Sequence, residues 1–358
     1  MRVDRVEFHD AMKQMARVAD DKSALPILRH VLIAAKDGRI QLRATDLEDS
    51  LTCSLTAEGK LTACLPAKLL CQLVKPESKR DAGDVCLEAM PDNKVSVQVD
   101  GLSTVLMGLD PNDFPMGIGE DLNWSLLAMW PAKDLRESLK YVLTASSRDE
   151  TRQNLQSVFF NAGHMVCTDG HRLHLASIPS ELETSLLVPA TAAETLRRVL
   201  SDGDQVVIAR SDDHIRFGAG QWQLDARLMD ESYPDTKQVV PEKSDQETRL
   251  VVETKVFSKA LSRVSRLSSE KQVKFVVNGT FTITSHDYDL GQAKTVVPTV
   301  ENNHEGKDLV IGYNVAYLLD ALKTKDEAVE LRLSDPLSPV RMDMPEAGRL
   351  AVVMPIRI

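Results

Sequence analysis

The chain has 358 residues, with 43 lysines and arginines against 53 aspartates and glutamates, and its net charge is −10. This length predicts two or three globular domains, and the apolar runs are far shorter than the roughly 18 residues of a membrane span. The acidic balance argues against a protein that binds nucleic acid tightly, because such proteins usually carry a basic excess. The first ten residues lack the apolar core of a signal peptide, and the five cysteines form no CxxC pair. We therefore expect a cytoplasmic protein without a disulfide framework or a structural zinc site.

The first predicted element, a strand followed by an amphipathic helix, occurs three times in the chain. The copies are VDRVEFHDAMKQMARV, WSLLAMWPAKDLRESLKYV and RLVVETKVFSKALSRV, which end at Val18, Val142 and Val264. A second helix also occurs three times, and the matching positions at its start are Pro66, Pro189 and Gly312. Both sets repeat every 122 to 124 residues, close to a third of the chain. A period shared by two independent elements predicts three tandem domains of similar fold, over residues 1–121, 122–245 and 246–358.

Between the helices, many segments alternate apolar and polar residues, such as RIQLRA, HIRF and VELRLS. This alternation predicts antiparallel strands with one buried face. Asp100-Gly101 and Asn278-Gly279 follow such segments and predict type I′ hairpin turns. We therefore predict an α+β fold in which each domain packs two helices on antiparallel sheets. Strands at the domain borders would be open edges unless neighbouring domains or subunits pair with them.

Basic residues concentrate on the six predicted helices. These helices carry a net charge of +9, so the rest of the chain carries −19, counted over residues 10–18, 66–75, 133–142, 189–200, 255–266 and 313–323. A single basic helix has an ordinary explanation, because lysine and arginine favour helices. Six helices that are basic or neutral in an acidic protein instead predict a positive surface that attracts phosphates without reading bases.

The segment VCTDGHRLHLASIP is the most enzyme-like part of the sequence. Its Asp169, His171 and His174 could hold a metal or supply a general base, so a metal-dependent hydrolase is one alternative function. Against it, His171 and His174 would point to opposite faces of a strand, and the other histidines have no ligand spacing. The sequence also has no Walker A, GxGxxG or GxSxG motif. We expect a protein without catalytic residues, metal or cofactor.

The last residues, GRLAVVMPIRI, form an unusually apolar end of the chain. They predict a final strand of the last sheet. Their methionine, proline and isoleucine residues also favour a groove that accepts a short peptide of a partner protein.

Seven short motifs, distributed over all three repeats, resemble those of the bacterial DNA sliding clamps, the β subunits of DNA polymerase III. They are LPIL at 25–28, ATDLE at 44–48, DFP at 113–115, TDGHRL at 168–173, YPD at 233–235, IGYNVAYLLD at 311–320 and VVMPIRI at 352–358. The resemblance implies a DNA polymerase processivity factor that catalyses no reaction. It also implies a head-to-tail homodimer, a ring of six similar domains around double-stranded DNA, with helices lining the hole.

The resemblance further implies a peptide-binding cleft between the second and third domains, which receives short segments of the replicative polymerase subunit, the clamp loader and other clamp-binding proteins. Its wall would consist of Leu155, Thr168, Gly170, His171, Arg172, Leu173, Pro234, Val239, Asn314, Tyr317, Leu337, Val352, Val353, Met354, Pro355, Ile356 and Arg357. The chain departs from the family's usual pattern at Gln238, Gln272, Pro336 and Pro339, and these departures bear on peptide preference.

Basic residues at positions resembling the family's DNA-facing ones are Lys22, Lys68, Arg152 and Arg198, and the helices add Lys13, Arg17, Lys140, Lys259 and Arg263. Gln153 and Asn154 replace the aromatic residues that often follow the arginine of the DNA-contacting loop. For the subunit interface, the resemblance implies Leu106 on an edge strand against Leu267. A further alternative is a divergent clamp-like scaffold that binds peptides but is not loaded on DNA.

Overall fold

The computed structural model describes residues 1–19, 22–78, 83–115, 118–119, 122–161, 163–179, 182–244 and 247–357. Within this part of the chain there are seven α-helices: α1 (Arg5–Val18), α2 (Ala67–Leu73), α3 (Ala132–Val142), α4 (Ala190–Val199), α5 (Thr236–Val239), α6 (Thr254–Val264) and α7 (Val315–Ala321). Six of them lie in the predicted helical segments. The seventh, α5, is a four-residue helix that the repeat does not predict. None of the described helices is both long and apolar enough to cross a membrane.

The strands account for most of the remaining regular structure. The first thirteen are β1 (Arg2–Asp4), β2 (His30–Lys36), β3 (Arg39–Thr45), β4 (Asp49–Thr56), β5 (Leu61–Pro66), β6 (Asp84–Ala89), β7 (Lys94–Val99), β8 (Leu102–Met107), β9 (Ser125–Pro131), β10 (Ser157–Asn161), β11 (His164–Thr168), β12 (Arg172–Ser177) and β13 (Leu186–Pro189). The others are β14 (Gln205–Ser211), β15 (His214–Ala219), β16 (Trp222–Arg227), β17 (Thr248–Glu253), β18 (Gln272–Val277), β19 (Phe281–Asp287), β20 (Gly291–Val297), β21 (Thr299–Asn302), β22 (Leu309–Asn314), β23 (Ala328–Leu333), β24 (Val340–Met344) and β25 (Arg349–Val353).

The chain divides into two compact units. The first unit, Met1–Arg136 with Thr191–Asp230, contains an eight-stranded sheet, β5-β2-β3-β4-β16-β15-β14-β9, and a four-stranded sheet, β1-β6-β7-β8. The second unit, Glu137–Ala190 with Glu231–Ile358, contains a nine-stranded sheet, β13-β10-β11-β12-β25-β24-β23-β17-β21, and a four-stranded sheet, β20-β19-β18-β22. Helices and antiparallel sheets together confirm the predicted α+β class. The predicted domain borders at 121 and 245–246 lie outside the described residues, and the division into three domains stays a prediction here.

Strands from neighbouring repeats pair with each other inside each unit. In the first unit, β4 of the first repeat pairs with β16 of the second, with Leu51 opposite Leu224. In the second unit, β12 of the second repeat pairs with β25 of the third, with Leu173 opposite Val352. The expectation that neighbouring repeats cover each other's border strands is therefore confirmed. The strands β8 and β20 remain at the ends of their four-stranded sheets.

The helices pack on these sheets through apolar residues at helical spacing. In α1, the Asp4 side chain accepts a hydrogen bond from the Glu7 amide at 2.9 Å and starts the helix, and Phe8, Met12 and Met15 are fully buried. In the second unit, Phe257 of α6 lies 5.9 Å from Phe275 and 5.8 Å from Phe281 between ring centroids. Each such buried side chain contributes about 1.5–3 kcal/mol of apolar transfer energy.

The two predicted hairpin turns have different outcomes. Asp100 and Gly101 both have positive φ angles (46° and 75°) and join Val99 to Leu102, so the type I′ turn is confirmed. The type I′ prediction for Asn278-Gly279 is wrong. Val277 pairs with Phe281, which leaves a three-residue loop in which only Gly279 has a positive φ. The Asn278 side chain interacts with Thr280 and with Asp308, a contact between distant residues that a local pattern does not reveal.

Candidate functional site

The TDGHRL segment forms a tight turn between β11 and β12 that its own side chains hold in place. The Thr168 hydroxyl donates to the Arg172 carbonyl at 2.6 Å and accepts from the Gly170 amide at 3.1 Å. The Asp169 carboxylate accepts from the His171 and Arg172 amides at 2.9 and 3.0 Å. Gly170 has a φ of 87°, which favours glycine. The turn therefore presents Gly170 and His171 to solvent in a fixed conformation.

Arg172 connects this turn to α7 through a largely buried guanidinium whose side chain is 11% exposed. Its Nε donates to Asp169 at 3.1 Å, another nitrogen donates to Asp320, and a third donates to the Thr144 carbonyl. The guanidinium also lies over the Tyr317 ring, 4.5 Å from its centroid. Burial alone would raise the pKa of Asp320, but hydrogen bonds from Lys323 and Arg172 bring it below its usual value. Asp320 is thus an ionised partner of Arg172 near neutral pH.

The last residues of the chain run beside the same turn. After β25, the Met354 amide donates to the His171 carbonyl at 2.9 Å, and the Ile356 amide donates to the Gly312 carbonyl at 2.9 Å. Met354 is 40% exposed, Pro355 and Ile356 are partly buried, and Arg357 is exposed. This segment therefore adds an apolar wall next to Gly170 and His171.

A small apolar cluster lies beneath the turn and the end of β25. Its buried members are Val166, Leu173, Leu350 and Val352, and the partly buried Leu175, Tyr233 and Val240 pack against it. The Tyr233 ring stacks on Phe159 with 4.8 Å between centroids. The YPD segment is thereby attached to the sheet, and the neighbouring Pro234 and Val239 remain exposed.

These contacts join the TDGHRL turn, the YPD segment, α7 and the end of the chain within the second unit. Of the remaining predicted wall residues, Leu155 and Val353 are buried and Leu337 is 77% exposed in the turn after β23. The Asn314 side chain caps α7 by accepting from the Ala316 amide at 2.9 Å. Sequence reasoning missed Asp320 as a partner of Arg172. Its spacing of three residues from Tyr317 on a helix was the available signal.

Arg152, predicted to face DNA, lies beside the TDGHRL turn. A Cβ atom added to Gly170 would be 3.0 Å from Arg152 Nη1. The side chain is 56% exposed, and its Nε is 3.8 Å from the Asp149 carboxylate. The structure therefore adds an accessible cation to the rim of the peptide site, a role that the sequence analysis did not assign to this residue.

The predicted DNA-facing side chains of the first unit are exposed and lie on its helices, except Lys22, which lies in a turn after α1. Burial raises the pKa of the Cys71 thiol on α2, and Lys13, Arg17 and Lys75 oppose this shift, so these three cations surround Cys71. Arg198 of α4 lies near Arg17 as well, because it contributes to lowering the pKa of Arg17. All nine predicted side chains are exposed in their own units, namely Lys13, Arg17, Lys22, Lys68, Lys140, Arg152, Arg198, Lys259 and Arg263.

The two residues predicted for the subunit interface have different surroundings. Leu106 is only 5% exposed and faces the interior of its own unit, whereas its neighbours Val105 and Met107 on β8 are 48% and 62% exposed. Leu267 is partly buried just after α6. The exposed apolar side chains of β8 are therefore Val105 and Met107, and the assignment of Leu106 to the subunit interface stays a prediction.

The three groups of the hydrolase alternative do not form a shared reactive site. His171 is exposed, His174 is fully buried, and the Asp169 carboxylate is occupied by Arg172 and by amides of its own turn. His174 stacks on Tyr141 with 4.8 Å between centroids. The Thr144 hydroxyl donates to the Tyr141 carbonyl at 2.7 Å, so its oxygen accepts from His174 Nδ1 at 2.9 Å. Within the described residues, no group of three or more histidine, cysteine, aspartate or glutamate side chains could hold a metal.

We expect His174 to make the protein sensitive to acid. Burial lowers the pKa of His174 to about 4, and the hydrogen bond to the Tyr141 carbonyl only partly opposes this shift. As the pH falls below about 6.5, the unfolded chain binds the proton first. The contribution to stability is therefore complete above pH 6.5 and is lost between pH 6.5 and 4, by about 3 kcal/mol in total. Urea unfolding of His174→Gln between pH 7.5 and 4.5 should show a weaker pH dependence than the parent chain.

The control for this experiment is His171→Gln, which removes an exposed histidine three residues away. It should keep the parent chain's loss of unfolding free energy on acidification. Equal pH dependence of His174→Gln and the parent chain would contradict the assignment to His174.

Sheets that continue from one repeat to the next, and helices with exposed basic side chains, are the features of a DNA clamp. Comparison with known families leads to the same class. The DNA polymerase III beta subunit family matches in three consecutive parts, with its N-terminal domain at residues 1–118, its central domain at 130–235 and its C-terminal domain at 237–357. The chain belongs to this family, the bacterial sliding clamps. Its members are non-catalytic processivity factors of DNA polymerase III, and the hydrolase alternative is not favoured.

Individual relatives agree with this assignment over the full length. The beta sliding clamp of Caulobacter vibrioides is 30% identical, with 99% of each chain covered. The beta sliding clamp of Pseudomonas putida is 29% identical, covering 97% of this chain and 96% of the relative. Among solved structures, the sliding clamp of Bartonella birtlesii bound to griselimycin has a TM-score of 0.88 at 28% identity, covering 100% of this chain and 99% of that one. The Pseudomonas aeruginosa clamp with ligand has a TM-score of 0.87 at 27% identity, with the same coverage.

Proposed function

We propose that this chain is a cytoplasmic processivity factor whose head-to-tail homodimer encircles double-stranded DNA. It tethers the replicative polymerase subunit, the clamp loader and other proteins that carry clamp-binding peptides. Its three tandem domains would span residues 1–121, 122–245 and 246–358. It acts without a metal or cofactor, because holding a partner near DNA involves no bond-making step.

The observation that carries this proposal is the pairing of strands from successive repeats. The β4–β16 and β12–β25 pairs extend sheets from one repeat to the next, while β8 of the first repeat and β20 of the third remain edges. An edge strand readily accepts a further strand. A second copy that joins its β20 to β8 of the first would make the same type of connection between subunits. A head-to-tail interface of this kind closes into a ring when the rotations that relate successive copies add up to a full turn.

We assign the subunit interface to these edges, with Val105 and Met107 on β8 and Leu267 after α6. Val105 and Met107 are exposed apolar side chains on a strand without charged residues. Burying them against a second copy would remove apolar surface from water. The Leu106 side chain would support the strand from inside the first unit.

We assign DNA contact to the exposed cations of the helices, with Lys68, Arg198, Lys259 and Arg263 among them, and to Lys22 in the turn after α1. Cations of this kind meet phosphates without reading the base sequence. The remainder of the chain is acidic and repels DNA from the other surfaces. A small number of weak phosphate contacts keeps the affinity and its salt dependence low, as a ring that slides requires.

We assign partner binding to the cleft formed by the TDGHRL turn, Tyr317 and Met354–Arg357. The apolar cluster around Leu173 and Val352 offers a place for apolar side chains of an extended peptide. Arg152 and Arg357 are exposed cations at its rim, and they favour peptides with an acidic residue beside the apolar ones.

Retention on circular DNA tests the function directly. We expect that the protein, placed on a nicked circular plasmid by the cognate clamp loader and ATP, stays with the circle through gel filtration. It should be released when a restriction enzyme linearises the DNA, because a ring held by topology slides off an end. The protein should also behave as a dimer of twice 39.6 kDa.

Two results would contradict the proposal. Equal retention on circular and linear DNA would mean ordinary binding in place of encirclement. Binding of clamp-binding peptides by a dimer that the loader never places on circles would favour the alternative of a scaffold that is not loaded.

A further inference from the structure

Two neighbouring arginines of α4 share the carboxylate of Glu194. Arg197 binds it with two hydrogen bonds, Nε to Oε2 and Nη2 to Oε1, both at 2.7 Å. Arg198 Nη2 lies 2.6 Å from Oε1 of the same carboxylate. Residues three and four positions after Glu194 lie on its side of the helix, so α4 alone sets this geometry. A guanidinium held by two parallel bonds is a strong and well-oriented ion pair.

Arg17 of α1 lies near enough to this group to interact electrostatically with Glu194 and both of its arginines. Burial, and then the proximity of Arg198, lower the pKa of Arg17, while Glu194 opposes the shift. Arg17 and Arg198 are both exposed. The hydrogen bond from Arg197 holds the pKa of Glu194 below its usual value, so the carboxylate is ionised at neutral pH. The cluster thus has three positive charges and one fixed negative charge on an exposed surface of the first unit.

We propose that Glu194 competes internally with DNA phosphates for Arg197 and Arg198 and so limits how strongly this part of the clamp holds DNA. The inference rests on the proposed function. A phosphate that approaches the cluster has to displace a carboxylate that is already in place, whereas at an unpaired arginine it displaces mobile anions. An arginine that neutralises a phosphate also releases cations condensed on the DNA, and this release drives much of protein–DNA affinity and makes it depend on salt. A covalently attached competitor therefore lowers both quantities.

The competitor explains why this cluster can lie on a sliding surface. Three uncompensated arginines at one point would hold a phosphate and slow the movement of the ring. Arg197 and Arg198 can instead exchange between Glu194 and successive phosphates, because an exposed ion pair is weak, about 1 kcal/mol or less. Glu194 thereby keeps the contact short-lived without removing the positive charge that attracts DNA.

The test is Glu194→Gln in the full-length protein, since glutamine keeps the length of the side chain and a hydrogen-bond acceptor but not the charge. Fluorescence anisotropy with a short labelled duplex would give the dissociation constant at several salt concentrations. We expect about two- to fivefold tighter binding at low salt and a salt dependence steeper by about one ion. Single-molecule tracking of the loaded ring should show slower diffusion along DNA.

The matched control is Glu88→Gln, which makes the same change in charge at an exposed position of the strand β6 and not on a helix. It should leave affinity and diffusion near those of the parent chain. Glu194→Ala should act in the same direction as Glu194→Gln, and Arg198→Ala should weaken binding. Unchanged or weaker DNA binding by both Glu194 variants would overturn the inference, and so would an equal gain in the Glu88 variant. Failure of the parent protein to bind DNA at any salt concentration would contradict the proposed function, and the inference with it.

Discussion

Deletion of residues 354–358 is expected to abolish stimulation of the polymerase while leaving a folded dimer. The strand β25 ends at Val353, so its pairing with β12 and β24 does not need the deleted residues. The deletion removes two backbone hydrogen bonds, from Met354 to His171 and from Ile356 to Gly312. It also removes the exposed apolar wall beside the TDGHRL turn. Loss of a wall that surrounds the anchor residues of a bound peptide should lower affinity about 30-fold or more.

Fluorescence polarisation with a labelled clamp-binding peptide and a primer-extension assay would measure the two effects. The matched control deletes only Ile358, which keeps Met354–Arg357 in place and should retain peptide binding. If the longer deletion lowers stability, Met354→Glu tests the same wall without shortening the chain. The deletion of residues 354–358 and Met354→Glu should both lower stimulation of the polymerase. Full stimulation by a folded dimer of either one would show that the peptide site has been placed wrongly.

The repeat accounts for most of what the sequence predicted correctly about the fold. Six helices, the α+β class and the pairing of border strands all follow from a period of about a third of the chain. These features depend on local patterns, such as apolar residues at helical spacing, that each repeat carries in full. The Asp100-Gly101 turn is correct for the same reason, because both positive φ angles belong to residues that tolerate them.

The wrong turn prediction at Asn278-Gly279 and the buried face of β8 both depend on distant parts of the chain. In the run Val105-Leu106-Met107, three consecutive apolar residues do not show which face is buried. The pairing of Leu106 with the buried Val95 decides it. Asp49 directly follows the ATDLE motif, and the sequence analysis gave it no role. It is 5% exposed, its Oδ1 has no hydrogen-bond partner among the described residues, and burial raises its pKa to about 7.

The structure brings several of the predicted wall segments together, but the sequence did not predict the contacts between them. The sequence motifs identified the TDGHRL turn, the YPD segment and the end of the chain, because each of these segments is recognisable from its own short run of residues. The partner of Arg172 is Asp320, 148 residues further along the chain. No periodicity connects residues at that separation, and the only sequence signal was indirect, the position of Asp320 three residues after Tyr317 on one helix.

Replacement of Arg172 by alanine is expected to be among the most damaging single changes in the second unit. The side chains of Asp169 and Asp320 are 16% and 25% exposed and would lose their shared cation. Removing one partner of a largely buried ion pair typically costs about 3–5 kcal/mol, because the remaining charges stay poorly solvated. The Thr144 carbonyl and the Tyr317 ring would lose a contact as well. Urea unfolding at pH 7.5 would measure the loss.

Arg172→Lys separates the role of charge from that of shape. Lysine keeps the positive charge but lacks the planar guanidinium, so it cannot bind Asp169, Asp320 and the Thr144 carbonyl at the same time. It should therefore recover only part of the lost free energy of unfolding. A double-mutant cycle with Asp320→Asn should give a coupling of about 1 kcal/mol or more, as expected for residues in direct contact. A loss below about 1 kcal/mol in Arg172→Ala, the range of a surface ion pair, would contradict the assignment.

Because Arg172 holds the turn against α7, the alanine variant should also bind clamp-binding peptides more weakly under conditions where it remains folded.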